Sequence, residues 1–325
     1  MAISSASVRD FSLRQLEYVV AVADTLGFRR AAERCAVSQP TLSGQIQQLE
    51  NVLGVQLFER DKKRVLLTAA GQEVVARARR ILLEASDLVA VATRARDPFS
   101  GTFRVGVIPT IAPYFLPHVT QVLAQAYPNL RLVFREEKTE VAVRDLWEGT
   151  LDAALVALEA DLGPLEHAEV LRDPFVLALP KGHPLAKKKK VAQSDLDHQE
   201  VLLLEDGHCL RSQALAVCGK AGAHEMDLRA TSLATLVQMV AGSDAVTLLP
   251  ELALSVENRG EQLEIRPFAS PVPYRTLALV WRPSSPFAEA FRRTAATLRS
   301  GAGGGGKRSG LERARHGGQH ARARE

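Results

Sequence analysis

The sequence predicts an α/β protein in three parts: a winged helix-turn-helix over residues 10–68, a long linker helix over 69–97, and a larger α/β domain over 98–300. Three observations carry this. Apolar residues recur at helical spacing as far as about residue 96, and Asp97-Pro98 then breaks the pattern. Beyond residue 101, apolar runs of strand length alternate with helical ones.

Leu13, Leu16, Val19, Val20 and Ala23 form the first helical stripe, which stops at Gly27. Phe28, Ala31, Ala32 and Cys35 form a second, shorter one, and Cys35 reads there as a small core hydrophobe. Ser38 suits the cap of a third helix with Pro40 in its first turn, while Leu42, Ile46 and Leu49 face inward and Gly54 ends it. A short helix, a tight turn and a helix with a polar outer face make a helix-turn-helix. Residues 57–67 then read as two short strands around a basic turn, a wing. Arg60, Lys62, Lys63 and Arg64 suit phosphate contacts there, although a solvated turn has the same composition. On the third helix Gln39, Thr41, Ser43 and Gln47 are polar and outward, fit to read base edges, with Ser38 and Pro40 at its start beside the phosphates. Thr68 suits the cap of the linker helix, whose stripe of Val74, Ala78, Ile81, Leu82, Ala85, Leu88 and Ala92 is longer than one small domain needs and suggests dimerisation.

In the third part, strand-like runs at 103–108, 130–135, 151–156, 201–204, 245–249 and 276–281 alternate with helix-like runs at 113–126, 141–148, 233–241 and 286–298. That alternation predicts a largely parallel sheet with ligands beyond the strands' carboxyl ends, where Pro109-Thr110 falls. Residues 301–325, with eight Gly and six Lys/Arg, read as a disordered tail. Lys187 to Lys190 reads as a solvated loop.

The net charge of +4 is uneven: residues 1–96 carry 14 Lys/Arg against 10 Asp/Glu, and residues 97–300 carry 21 against 25. A basic end on a near-neutral body suits a polyanion partner. There is no apolar run of membrane-spanning length and no secretory h-region, so the expected location is the cytoplasm. Three cysteines, an odd number, do not make a disulfide scaffold, and in a reducing compartment a pair of them points to redox, catalytic or metal chemistry.

Two of those cysteines, Cys209 and Cys218, lie nine positions apart in Glu205-Asp206-Gly207-His208-Cys209-Leu210-Arg211-Ser212-Gln213-Ala214-Leu215-Ala216-Val217-Cys218. If the segment is helical, nine steps separate their Cα atoms by ~13 Å. A disulfide needs about 7 Å or less, so the bond closes only if the helix unravels or the loop refolds. Such a pair is a candidate two-state device, reduced in one fold and oxidised in another. Gly207-His208 suits the opening of a helix with Cys209 in its first turn, where a thiolate is favoured; Glu205 and Asp206 oppose that, and Arg211 follows two residues on. Other readings stand beside this one: both cysteines as buried structural thiols, or a zinc site from His208, Cys209, Cys218 and His224, for which paired ligand spacing is missing.

The run Arg29-Arg30-Ala31-Ala32-Glu33-Arg34-Cys35-Ala36-Val37-Ser38-Gln39-Pro40-Thr41-Leu42-Ser43, with the wing, linker helix and two-part α/β domain, resembles the LysR-type transcriptional regulators. Gly106-Val107-Ile108-Pro109-Thr110, the Leu203–Arg211 run, Cys218, Arg229-Ala230-Thr231-Ser232-Leu233 and Thr247-Leu248-Leu249-Pro250 narrow the resemblance to the family's hydrogen-peroxide sensors. The resemblance spans about residues 10–299. Outside it fall the short N-terminal extension, the lysine run and the tail.

The resemblance implies a two-lobed regulatory domain like a periplasmic binding protein. It implies Cys209 as the peroxide-reactive cysteine and Cys218 as the resolving one, joined reversibly as a disulfide that controls oxidative-stress genes. Pro109, Thr110, Thr139, Gly207 and His208 are implied around the thiol, with Arg275 favouring its thiolate. Helix capping is the plainer role for Thr110, and loop orientation for His208. The implied partners are promoter DNA with repeated half-sites, hydrogen peroxide as effector, a homotetramer built as a dimer of dimers, RNA polymerase, and a thiol reductant for reset. No cofactor and no enzyme activity are expected. A metabolite-binding regulator of the same architecture, with incidental cysteines, and a thiol-dependent peroxidase are the competing readings.

Overall fold

The computed structural model describes residues 9–60, 65–94 and 97–305, and the chain forms two compact units that divide between residues 95 and 96. The first begins with helices α1 (Leu13–Thr25), α2 (Phe28–Arg34) and α3 (Gln39–Leu53). Ser12 caps α1 reciprocally: its hydroxyl accepts from the Gln15 N–H at 3.3 Å and its own N–H donates to Gln15 Oε1 at 2.8 Å. Ser38 caps α3 in the expected way, accepting from the Thr41 N–H, and Gly54 ends that helix with φ +69°. Leu16, Val19, Val22, Ala31, Leu42, Ile46 and Leu49 bury together as its core, with Cys35 half-buried against them. Strands β1 (Phe58–Arg60) and β2 (Val65–Leu67) pair antiparallel as the arms of the wing. Glu50, buried at the end of α3, accepts from the Leu57 and Phe58 N–H groups at 2.8 and 3.3 Å and so fixes the wing to α3.

Helix α4 (Ala69–Arg94) follows, with Thr68 accepting from the Gly71 N–H at 2.9 Å. Gly71 is required there, because a Cβ would stand 2.0 Å from the Leu57 carbonyl oxygen. Along α4 the apolar residues Ile81, Leu88, Val89 and Val91 remain exposed, Leu88 to 72%.

In the second unit, β3 (Gly101–Val107), α5 (Ala112–Ala126), β4 (Leu130–Glu136), α6 (Thr139–Trp147) and β5 (Ala153–Ala157) form parallel βαβ units, β4–β3–β5. Next comes β6 (Glu166–Pro180), fifteen residues long, then β7 (Glu200–Leu204), α7 (Cys209–Cys218), β8 (His224–Ala230), α8 (Leu233–Ala241), β9 (Thr247–Pro250), the short α9 (Leu254–Glu257), β10 (Leu263–Pro267), β11 (Tyr274–Trp281) and α10 (Ala288–Gly305).

The sheet is mixed, not largely parallel. Among the described strands β3–β4, β3–β5 and, in a separate pair, β7–β8 run parallel, whereas β6 and β11 are antiparallel to each other and to the strands they flank. Strand β6 causes this. Its first half pairs with β11 in one lobe and its second half with β9 and β10 in the other, so one strand passes from lobe to lobe. The final helix continues to Gly305, five residues into the segment expected as a tail; residues 306–325 lie outside the described ones. Lys188 in the lysine run is paired with Asp195 at 2.7 Å. Among the described residues no helix is long and apolar enough to cross a membrane.

Candidate redox site and nucleic-acid interface

The chemistry converges where three strands deliver their carboxyl ends. Thr110 lies in the turn after β3, shaped by Pro109; Thr139 opens α6 just after β4; Gly207, His208 and Cys209 follow β7. Arg275 reaches the same place at the start of β11, directly across from Asp173 of β6, at the point where β6 changes lobes.

Arg275 is wholly buried and fully engaged. Its Nε donates to Asp173 Oδ2 at 2.9 Å, Nη1 to Thr110 Oγ1 at 2.8 Å and Nη2 to the Thr110 carbonyl at 2.9 Å. Asp173, 2% exposed, also accepts from the Leu252 N–H at 3.0 Å, so the buried cation is neutralised and held.

Cys209 stands at the N-terminus of α7 as expected, half-buried as a residue but with its sulfur enclosed. Burial pushes its thiol above the usual cysteine pKa. Against that pull the Thr139 side chain, the Arg275 cation, and the N–H groups of Leu210 and Cys209 itself. Thr139 Oγ1 is buried without a hydrogen bond of normal geometry; it lies beside the thiol, near enough to favour the thiolate. Arg211 has no part in this. It turns away to Asp206 (2.9 Å) and grips both Glu225 oxygens (2.6 and 3.0 Å), fastening α7 to β8.

His208 caps α7 and is buried, its Nε2 without a hydrogen-bond partner and 3.8 Å from Glu205 Oε1. Burial first, then the Lys138 cation, hold its pKa below the usual histidine value while Glu205 pulls the other way, so it is neutral near pH 7. Gly207, at φ +88°, is the left-handed residue that turns the chain from β7 into α7. Four residues beyond Cys209, on the same helical face, Gln213 is buried with both amide atoms unpartnered.

Cys218 sits at the far end of the unbroken helix, separated from Cys209 by nine helical steps, ~13 Å. It is 3% exposed and belongs to the core that also holds Leu196, Val201, Leu210, Ala214 and Val237. Burial pushes its thiol up to about 12. The structure therefore brings together Thr110, Thr139, His208, Cys209 and Arg275, and holds Cys218 apart. Among the described residues no group of three or more His, Cys, Asp or Glu is placed to hold a metal.

Of the expected DNA contacts, Ser38, Gln39, Pro40 and Thr41 are exposed at the start of α3. Gln47 is exposed one turn and a half later and Ser43 is half-buried. Arg60 closes β1; Lys62, Lys63 and Arg64 lie outside the described residues.

Residues 13–72 match the bacterial regulatory helix-turn-helix proteins of the lysR family, and residues 96–303 match the LysR substrate binding domain. The chain belongs to the LysR family, which makes it a DNA-binding regulator rather than an enzyme. Within the family it is similar to OxyR. It is 42% identical over 290 residues to the DNA-binding transcriptional dual regulator OxyR of Escherichia coli (strain K12), covering 89% of this chain and 95% of that one. A full-length OxyR variant from Pseudomonas aeruginosa shares its structure with a TM-score of 0.72 and 35% identity over 89% of this chain and 95% of that one. A cysteine mutant of Corynebacterium glutamicum OxyR with hydrogen peroxide bound does so with a TM-score of 0.60 and 33% identity over 90% and 94%.

Proposed function

We propose that this chain is a peroxide-sensing transcriptional regulator whose switch is the Cys209–Cys218 pair. The observation that carries this is α7 itself: an enclosed thiol beside Thr139 and Arg275 at one end, a core-buried thiol at the other, and a helix that keeps them out of bonding range. The Cys209 thiolate attacks one peroxide oxygen. The O–O bond breaks, the sulfur is oxidised to sulfenic acid, and the other oxygen leaves as hydroxide and is protonated to water. The Thr110 hydroxyl, fixed by Arg275, and the unpartnered groups of Thr139, His208 and Gln213 are the donors available to hold the two oxygens as charge moves to the leaving one. Cys218 then attacks the sulfenic sulfur, an S–S bond forms and water departs. Burial pushes the Cys218 thiol up to about 12, so it stays protonated at neutral pH and this step waits until α7 unravels and exposes it.

Residues 10–68 carry the DNA contacts and 98–300 the sensing. The exposed apolar stripe of α4 supports pairing of two chains, and repeated half-sites call for a dimer of such dimers, which we take as the tetramer. RNA polymerase as the output partner, a thiol reductant for reset and a cytoplasmic location belong to the same reading. A metabolite-sensing alternative finds less support. An apolar cavity lined by Phe103, Phe115, Leu132, Phe134 and Phe291 lies within the first lobe's core, and the one hydroxyl lining it, Thr294, already donates to the Ala290 carbonyl. The test is peptide mapping after brief peroxide exposure of the full chain bound to promoter DNA. Wild type should give a 209–218 crosslink and an altered footprint; Cys209→Ser neither; Cys218→Ser a Cys209 sulfenic acid without the altered footprint. A Cys209→Ser protein that still responds would falsify the reading.

A further inference from the structure

One side chain bridges the two connections beside this site, and beyond its effect on His208 the chemistry above gives it no role. Lys138 is the last residue before α6, in extended conformation at φ −61° and ψ 153°, so its backbone position and that of Thr139 beside the thiol are fixed together. Its ammonium reaches over to the opposite lobe, where it donates to Glu205 Oε1 at 2.6 Å and to the Asp206 carbonyl at 3.2 Å. Between these ends the aliphatic stem passes beside Gly207: a Cβ built there would stand 3.2 Å from Lys138 Cδ and 3.5 Å from Nζ, so there is little room between stem and loop. The three residues so covered, Glu205, Asp206 and Gly207, lead through His208 directly into Cys209.

Resting on the peroxide reading of the site, we infer that Lys138 is a positioning and specificity-determining residue. It straps the β4–α6 and β7–α7 connections together across the pocket's rim and restricts Cys209 to hydrogen peroxide over bulkier alkyl hydroperoxides. Hydrogen peroxide is two oxygens and their protons, small enough to pass a closed rim. An alkyl hydroperoxide must bring its carbon group past the stem. The ion pair is partly solvent-exposed, with side-chain exposures of 37% and 39%, so the strap biases entry modestly rather than sealing the rim.

The experiment measures loss of the Cys209 thiol in the reduced full-length chain with hydrogen peroxide and with tert-butyl hydroperoxide, as two rate constants and their ratio. Lys138→Ala, which removes stem and charge, is expected to lower the preference for hydrogen peroxide by about fivefold, the upper end of what a partly exposed pair supports. Glu205→Gln, which cuts the bridge and leaves the stem, should give part of that loss. Lys138→Arg, which keeps both stem and charge, should keep the ratio, whereas exchanging Lys138→Glu with Glu205→Lys restores the bridge without the stem and should not restore it fully. A residue that merely supports the fold moves both rates together, so an unchanged ratio in Lys138→Ala overturns the strap. Wild-type Cys209 inert to both peroxides overturns the peroxide reading, and the strap with it.

Discussion

Ala216 sits on the solvent side of α7, two positions before Cys218, and touches nothing the chemistry uses. Its replacement by glycine therefore probes the helix alone. Glycine in a helix costs about 1 kcal/mol relative to alanine through lost backbone freedom. That cost falls on the reduced fold, in which residues 209–218 are helical, and not on an oxidised fold in which the segment has unravelled. For a two-electron couple about 30 mV corresponds to ~1.4 kcal/mol, so the midpoint of the Cys209–Cys218 disulfide should move by ~20 mV to more negative potential. The full chain is equilibrated in glutathione buffers of graded ratio, its free thiols are alkylated, and the modified fraction is counted by mass. An unchanged midpoint, or one that moves to more positive potential, would show that helix stability is not what opposes the disulfide.

Because burial holds the Cys209 thiol above the ordinary cysteine value of 9.0, the thiolate is the minor form at neutral pH and grows as pH rises. The rate of Cys209 oxidation by peroxide should climb about tenfold per unit from pH 6 to 8, and stopped-flow rates that level off below pH 7 would contradict the burial argument. At the other end of the chain, Lys62→Ala, Lys63→Ala and Arg64→Ala together should weaken binding to all DNA sequences and flatten its salt dependence by up to ~0.9 per lost phosphate contact. Gln39→Ala or Thr41→Ala should change which sequences are preferred, as read in competition binding. Affinity and slope that survive the triple change would remove the wing from the interface.

The helices were readable from the chain because their apolar spacing is local: α1, α3, α4 and α8 begin and end within a few residues of where their caps and stripes put them. The sheet was harder. Strand β6 is interrupted in sequence by Arg172-Asp173-Pro174, so it does not read as one strand, yet its pairing with β11 and then β9 is what makes the sheet mixed. β8 was missed for a related reason: it is a mostly exposed edge strand whose sequence, His224–Ala230, is largely polar. Within the site, the cysteine helix announced itself through nine positions of contiguous chain, but the buried pair of Asp173 and Arg275 joins residues 102 apart, and an aspartate before a proline gives no sign of it. Lys138 follows Glu136 and Glu137 and reads as surface charge until the fold places Glu205 opposite. Gln213 looks like any polar helix residue, and only the burial of its unpartnered amide, one turn on from Cys209, marks it.

The burial of Cys218 has a thermal consequence. Its sulfur is part of the second lobe's packing, so locking the signal requires a piece of core to come apart, and such openings slow by several-fold for every 10 °C of cooling. The encounter of peroxide with Cys209 at the pocket needs no such opening and slows far less. In the cold the two steps separate: sulfenic acid forms and waits, exposed to a second peroxide that carries it irreversibly to sulfinic acid before the disulfide can rescue it. A sensor built this way risks destroying its own reactive cysteine when peroxide is abundant and the core is stiff, so the ease with which α7 opens is as much a safeguard as a trigger.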